Sequence, residues 1–315
     1  MRRAMRPRLP KRLPLPKHWP IRRRIPRPLH ALNWRERINF LITNRVPRKV
    51  LTQWMGWYSG IESPRLTRVS IRVWRLFARD LDLKEAKHRD FSSLHDCFVR
   101  ELKDGARPVD PRPGIAVSPC DAVVGACGTI EGTTVYQAKG FPYELEELIP
   151  DPALRERYRD GVYVTLRLKS SMYHRFHAPV DCEVRAIDYI SGDTWNVNPP
   201  ALKRIEKLYC RNERAVVPLH TGDGESDIAL VPVAAILVAS MRFHCLESDL
   251  NLRYRGPNRL SCYAQFRKGE EMGYFRHGST IILFATPRYA LCRHVHSGMH
   301  IRMGEALLTS AGLAS

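Results

Sequence analysis

From Val162 onward the chain repeats one kind of segment, a short run rich in β-branched and other apolar residues and bounded by turn formers. The runs are Val162–Lys169, Glu183–Ile190, Ala215–Leu219, Ile228–Met241, Leu260–Arg267 and Thr280–Phe284. Segments of this length and composition read as strands, and six of them commit the C-terminal half to a sheet-based core. Helix-period spacing is concentrated ahead of residue 105. The expected fold class is therefore α+β: a mostly β body with amphipathic helices at its N-terminal end. With 44% hydrophobic residues the chain can bury a sizeable core, which excludes disorder of the whole.

Charge divides the chain differently. The formal net charge of +19 first suggests a nucleic-acid partner, but residues 1–80 hold 21 basic and 3 acidic side chains, while residues 81–315 are nearly balanced at 30 and 29. Residues 1–30 carry 11 Lys or Arg, 7 Pro and no acid, and are expected to be a disordered basic arm. Residues 31–90 interleave arginines with aromatics at helical spacing, broken at Ser63-Pro64. Within them Arg65, Arg68, Arg72, Arg75 and Arg79 advance in steps of 3 and 4, so they share one helical face beside Leu66, Val69, Val73, Leu76 and Phe77. Adjoining cationic and apolar faces suit an anionic membrane interface. The bland alternative is a surface helix whose apolar side packs on the core. Tryptophans at 34, 54 and 57 favour the membrane, with Arg65, Arg68, Arg72, Arg75, Trp54 and Trp57 as the expected contacts and nucleic acid set aside.

The longest apolar run, Ile228–Met241, is 14 residues and contains Pro232, so a transmembrane span is not expected. No apolar core of a secretory signal follows the basic N-terminus. Eight cysteines without a C-x-x-C pair read as free thiols in a reducing cytoplasm. The expected location is peripheral, on the cytoplasmic side of the cell membrane.

Three groups could carry chemistry. Asp121, in SPCDAVVG, enters a strand-like segment, where an aspartate is commonly a turn or cap residue. His174 and His177, in YHRFHAP, are spaced to face one pocket. Gly278-Ser279 precedes the last apolar run, a usual place for a hairpin turn. An Asp, a His and a Ser can form a hydrolase-type triad in any chain order, but the G-x-S-x-G elbow of an α/β-hydrolase is missing. Cys292, His294, His296 and His300 raise the question of zinc; a fourth ligand on one face is not assured, and they are read as a polar sheet edge with no metal expected.

These segments, together with FVRELKDGARPVD, QAKGFPYELEELI, GDTWNVNP, RNERAV, VPVAAILVAS and KGEEMGYF, stand in an order that resembles the phosphatidylserine decarboxylase family from about Phe91 to Ala285. The resemblance implies a self-cleaving proenzyme, a pyruvoyl-dependent carboxy-lyase of phospholipid biosynthesis. Ser279 would attack the Gly278 carbonyl, with His177 as base and Asp121 as its orienter, splitting the chain into a β chain of residues 1–278 and an α chain of residues 279–315. Elimination would leave a covalent pyruvoyl group in place of Ser279. The amine of phosphatidylserine would then condense with it as a Schiff base, and loss of carbon dioxide would lead to phosphatidylethanolamine, with His174 assisting decarboxylation or protonation.

The implied partners are an anionic phospholipid membrane, the lipid substrate, and the protein's own two chains as a heterodimer open to further dimerisation. Lys139 and Arg214 are expected to contact the lipid phosphate or serine carboxylate. The chain departs from the family pattern at Ala122 for Gly, His277 for Leu and Met172 for an acid. Rival readings are the same pyruvoyl chemistry on another serine lipid or an amino acid, and a non-catalytic binder of anionic lipid or nucleic acid; Asp121, His177 and Gly278-Ser279 together count against the second.

Overall fold

A computed structural model describes residues 48–78, 80–135, 142–202, 204–222, 226–236, 240–276 and 279–310. The basic arm 1–30, the segment 31–47, Arg79, Lys139, His277 and Gly278 lie outside the described residues.

Two helices open the described chain, α1 (Arg48–Ser59) and α2 (Pro64–Phe77), followed by a single turn, α3 (Leu94–Phe98). Ser63 caps α2, its side chain accepting from the Leu66 N–H, and Pro64 occupies the first turn where its missing N–H costs nothing. Thr67, Ile71 and Trp74 turn toward the body, where Ile71 and Trp74 pack on Ala78, Leu81, Leu83 and Phe91. That leaves Arg65, Arg68, Arg72 and Arg75 exposed together with Val69, Val73, Leu76 and Phe77. The apolar stripe seen in the sequence is thus not spent on the described core. In α1, Val50, Trp54 and Trp57 are likewise exposed.

The helical pattern expected from Phe91 to Gly105 contracts to the five residues of α3, capped by Ser93. Arg100 explains the stop: its buried guanidinium donates back to the Cys97 carbonyl and across to that of Ser171, anchoring the chain in a non-helical course.

The strands, in chain order, are β1 (Ile115–Val117), β2 (Ala122–Thr129), β3 (Thr134–Val135), β4 (Tyr143–Glu144), β5 (Val162–Arg167), β6 (Arg175–His177), β7 (Cys182–Ile190), β8 (Arg214–His220) and β9 (Ser226–Ala234). They continue as β10 (Ser240–Phe243), β11 (Leu250–Asn251), β12 (Arg259–Phe266), β13 (Glu271–Phe275), β14 (Ser279–Ala285), β15 (Tyr289–Leu291), β16 (His300–Ile301) and β17 (Ala306–Ser310). Eight form one antiparallel sheet in the order β12-β7-β8-β9-β14-β5-β2-β16, and four form a second in the order β11-β10-β13-β6. The run Ile228–Met241, continuous in sequence, divides between β9 of the large sheet and β10 of the small one.

β14 sits between β9 and β5, and every one of its residues is buried. Ile281 and Leu283 face a core shared with Phe176, Phe243 and Phe275 of the small sheet, whereas Ile282 and Phe284 face a second core built with Leu145, Leu148, Leu208 and Tyr209. Burial on both faces explains why β14 reads as an unbroken apolar run instead of an alternating one.

Candidate active site

The large sheet brings two distant parts of the chain to one end. Val123 and Thr280 both take Arg167, the last residue of β5, as their ladder partner, so β2 and β14 start side by side with β5 between them. Asp121 immediately precedes β2 and Ser279 begins β14, which separates their backbones by two strand spacings, roughly 10 Å. Strand alternation directs the Ser279 side chain to the face of Ile281 and Leu283, toward the small sheet.

That small sheet carries both histidines. His177 pairs with Glu271 and the ladder runs on so that the Phe275 N–H donates to the His174 carbonyl, four residues before Ser279. The Ser279 carbonyl is held by the Leu168 N–H at 2.9 Å. Its hydroxyl, fully buried, makes no hydrogen bond to any described residue. A buried hydroxyl with no partner is costly and draws attention as a reactive or ligand-facing group.

The His177 ring is fixed at both nitrogens. Nδ1 lies 2.9 Å from the Gly269 carbonyl and Nε2 lies 3.0 Å from the Tyr173 hydroxyl. A carbonyl can only accept, so Nδ1 carries the proton and Nε2 accepts from Tyr173. Gly269 can occupy this position because its φ is +84° and a Cβ there would come within 2.5 Å of Val109. Burial pushes the His177 pKa below the ordinary imidazole value, against the opposing pull of the Gly269 carbonyl, Glu271 and Asp121. The neutral ring, with a basic Nε2, is thereby favoured. His174 is completely buried, stacks on Phe98 with ring centroids 4.0 Å apart, and has Nε2 3.3 Å from the Ser170 carbonyl. Phe98 stacks in turn on Trp74 of α2 at 5.7 Å.

Asp121 is engaged elsewhere than the sequence reading placed it. Arg107 grips its carboxylate with Nε at 2.8 and 3.1 Å and Nη2 at 2.6 Å, and the Met303 N–H adds a bond of 2.9 Å. Arg107 also reaches Glu85 at 2.8 Å. Although burial opposes the charge, these two carboxylates hold the guanidinium above its ordinary pKa. Among the described residues no hydrogen bond or ion pair joins Asp121 to His177; the atom that orients the imidazole is a backbone carbonyl.

Arg214 also differs from expectation. It is buried and donates to the carbonyls of Glu147, Leu148, Cys210 and Asn212, so it ties the short helical turns Leu145–Leu148 and Leu208–Arg211 to β8 and is not presented to an anion. Arg107, Tyr173 and Gly269 lie inside strings that the sequence already marked, but their roles depend on partners between 4 and 92 residues away and had no local signal.

A cleft of about 700 Å³ opens at this end of the sheet, between the body and the helices α1 and α2. Leu51, Met55, Val69, Val73 and Trp74 line its helical side, and Phe98, Leu168, Val197, Ala235 and Ile236 its floor. Leu168 bonds Ser279 directly, and Ala235 follows the residue paired with it, so the floor of the cleft lies against the start of β14. Its size and apolar lining suit a small amphipathic molecule.

Comparison with known proteins agrees with this construction. The sequence profile described as phosphatidylserine decarboxylase matches residues 94–309. Curated relatives named phosphatidylserine decarboxylase proenzyme include one from Erwinia tasmaniensis, 34% identical over 292 residues, covering 87% of this chain and 95% of the relative. One from Dickeya dadantii is 34% identical over 290 residues, with 86% and 92% covered, and one from Vibrio cholerae is 35% identical over 271 residues, with 82% and 94% covered. A profile spanning more than half the chain, and relatives that share a third of its residues along nearly their whole length, establish that the chain belongs to the phosphatidylserine decarboxylase family.

Proposed function

We propose that the protein is a self-processing phosphatidylserine decarboxylase that converts the lipid to phosphatidylethanolamine on an anionic membrane surface. The observation that carries this reading is the buried hydroxyl of Ser279, which has no hydrogen bond to a described residue and lies on the side of β14 facing the histidine-bearing sheet, beside the floor of an apolar cleft. Family membership supports it.

In self-processing, Ser279 Oγ attacks the carbonyl carbon of Gly278 while its proton passes to Nε2 of the neutral His177, which gives up the Tyr173 hydrogen bond to receive it. Return of that proton to the Ser279 nitrogen breaks the peptide bond and leaves an ester. Loss of the Cα proton and of the ester oxygen frees residues 1–278 with a carboxylate end, and water then releases the nitrogen as ammonia. The residue-279 position suits the pyruvoyl group that results, since the orphaned Oγ leaves no hydrogen bond to be broken. When present, that group supplies a carbonyl able to take the substrate amine and to accept the electron pair left as carbon dioxide departs. The residues around it do the rest: the apolar floor excludes water, and His174, held flat against Phe98, delivers the proton that replaces carbon dioxide. Asp121 acts through Arg107 to fix the chain entering β2 and through its charge on the imidazole.

Purified protein incubated with phosphatidylserine vesicles is expected to show two chains by mass, the smaller beginning at residue 279 with a blocked terminus, and to release carbon dioxide with phosphatidylethanolamine. A single intact chain with no carbon dioxide overturns the reading.

The exposed faces of α1 and α2 support peripheral attachment to the cytoplasmic leaflet, where each basic side chain near the surface adds roughly 1 kcal/mol. Among the described residues no helix is long and apolar enough to cross a membrane. Replacing Arg65, Arg68, Arg72 and Arg75 by Gln is expected to weaken flotation with anionic vesicles by about 100-fold or more, and raised salt should weaken the wild type in the same direction. Equal flotation of the two proteins argues against this attachment.

A further inference from the structure

Arg167 stands out among the arginines whose Nε is buried. The Nε atoms of Arg100, Arg167, Arg204 and Arg276 all lack a hydrogen bond to the described residues, but Arg100 donates to two carbonyls, Arg276 pairs with Asp249 and Arg204 has a further interaction, whereas no described residue offers the Arg167 guanidinium a hydrogen bond or an ion pair. The side chain is half-buried and lines the cleft beneath α1 and α2, among Val73, Trp74, Val197 and Ile236. Lys169, the other cation there, is paired with Asp80 at 3.3 Å. Leaving a cation unpaired in apolar surroundings is unfavourable, so the position makes sense when an anion arrives with the ligand.

We propose that Arg167 is the binding site for the phosphodiester of the lipid substrate, which deepens the decarboxylase reading and rests on it. Two constraints select this occupant. An apolar cleft lined by one cation that no described residue pairs matches a ligand with hydrocarbon chains and a fixed anion, and a phospholipid has both. The second is position: as the ladder partner of Thr280, Arg167 lies on the face opposite the Ser279 side chain, but it ends β5 at the same end of the sheet, where its neighbour Leu168 holds the Ser279 carbonyl, and in phosphatidylserine only two carbons separate the phosphate oxygen from the reacting amine.

The serine carboxylate is the other anion of that headgroup, and energetics disfavours it. A guanidinium on the carboxylate stabilises the charge that must be lost as carbon dioxide and so raises the barrier. On the phosphate it binds ground state and transition state alike, which lowers KM without slowing the chemistry.

The test uses full-length protein and a short-chain phosphatidic acid, dihexanoyl, as probe, because it carries phosphate but neither amine nor carboxylate. Titration calorimetry of wild type, Arg167→Gln and Arg167→Lys is compared with dihexanoylglycerol as the neutral control. Removing the charge is expected to weaken phosphatidic acid binding by about 10- to 100-fold and to raise KM for phosphatidylserine similarly, with kcat held within about twofold. Lys should recover part of the loss, since a point charge replaces a forked donor, and the neutral control should not distinguish the proteins. If the Gln variant does not fold, Arg167→Met, which also removes the charge, carries the same comparison.

Equal phosphatidic acid affinity in wild type and variants overturns the proposal. A variant that retains phosphatidic acid binding while its KM for phosphatidylserine rises also overturns it and assigns Arg167 to the carboxylate. A wild type that neither cleaves nor decarboxylates, yet binds phosphatidic acid through Arg167, defeats the functional reading and leaves the anion site standing.

Discussion

Ser279→Ala is expected to yield one uncleaved chain that releases no carbon dioxide, a loss of at least about 10⁴-fold in decarboxylation, without loss of fold. Both halves of that result come from one atom. The Oγ is the sole nucleophile that alanine lacks, so neither the ester nor the carbonyl derived from it can form. The same Oγ makes no hydrogen bond to a described residue, while β14 is fixed by backbone ladders to β5 and β9 that alanine preserves. Removing a buried hydroxyl that satisfies nothing should leave stability within about 1 kcal/mol of wild type or raise it. Intact mass, a carbon dioxide assay and a thermal melt on one preparation check this together. A variant that melts well below wild type would mean that Ser279 is structural, and a variant that still cleaves would move the reaction to another residue.

Asp121→Asn should have the largest effect on stability. Side chains of Asp121 and Arg107 are 10% and 8% exposed, and their forked pair is closed by Glu85 and the Met303 N–H. Neutralising the carboxylate leaves a buried guanidinium short of charge, at a cost of about 3–5 kcal/mol. That is a large share of the roughly 5–15 kcal/mol that holds a typical domain. Arg107→Met should fall by a similar amount, and the double variant by less than the sum, because the two changes remove one interaction. Chain cleavage should slow in both single variants through the displaced start of β2. Denaturant titration of the four proteins gives the coupling. If Asp121→Asn keeps wild-type stability and yet fails to cleave, the carboxylate acts directly on the proton path and Arg107 is secondary.

Elements carried by local chemistry were readable in the sequence. Ser63-Pro64 marks the start of α2, and the 3-and-4 spacing of its arginines places them on the exposed face where they are found. The apolar run at Thr280–Phe284 is the central strand of the large sheet. Long-range partners were not readable. Arg214 and Arg167 both sit at a strand end, and nothing local tells an arginine satisfied by four carbonyls from one left open in a cleft. The switch of sheets between β9 and β10 was hidden because both strands are apolar and few residues lie between them. The orienter of His177 escaped for a different reason: it is a backbone carbonyl, available at any residue, and it is identified by the glycine conformation that aims it.

The placement of β14 has a consequence for what maturation does to the molecule. Cut at residue 278, the short piece that begins at Ser279 would still supply the middle strand of an eight-stranded sheet, its edge strand β16, and two of the three strands in the β1-β17-β15 sheet. Its fragments would stay interlocked without a covalent link. Yet the precursor would have found that arrangement as one chain, with β14 tethered to β13 by a short connection. Once the tether is gone, unfolding lets the pieces diffuse apart, and their return becomes a bimolecular search. The mature enzyme would then persist by the height of its unfolding barrier, and a melting temperature measured on it would report a rate of loss where the precursor's reports an equilibrium.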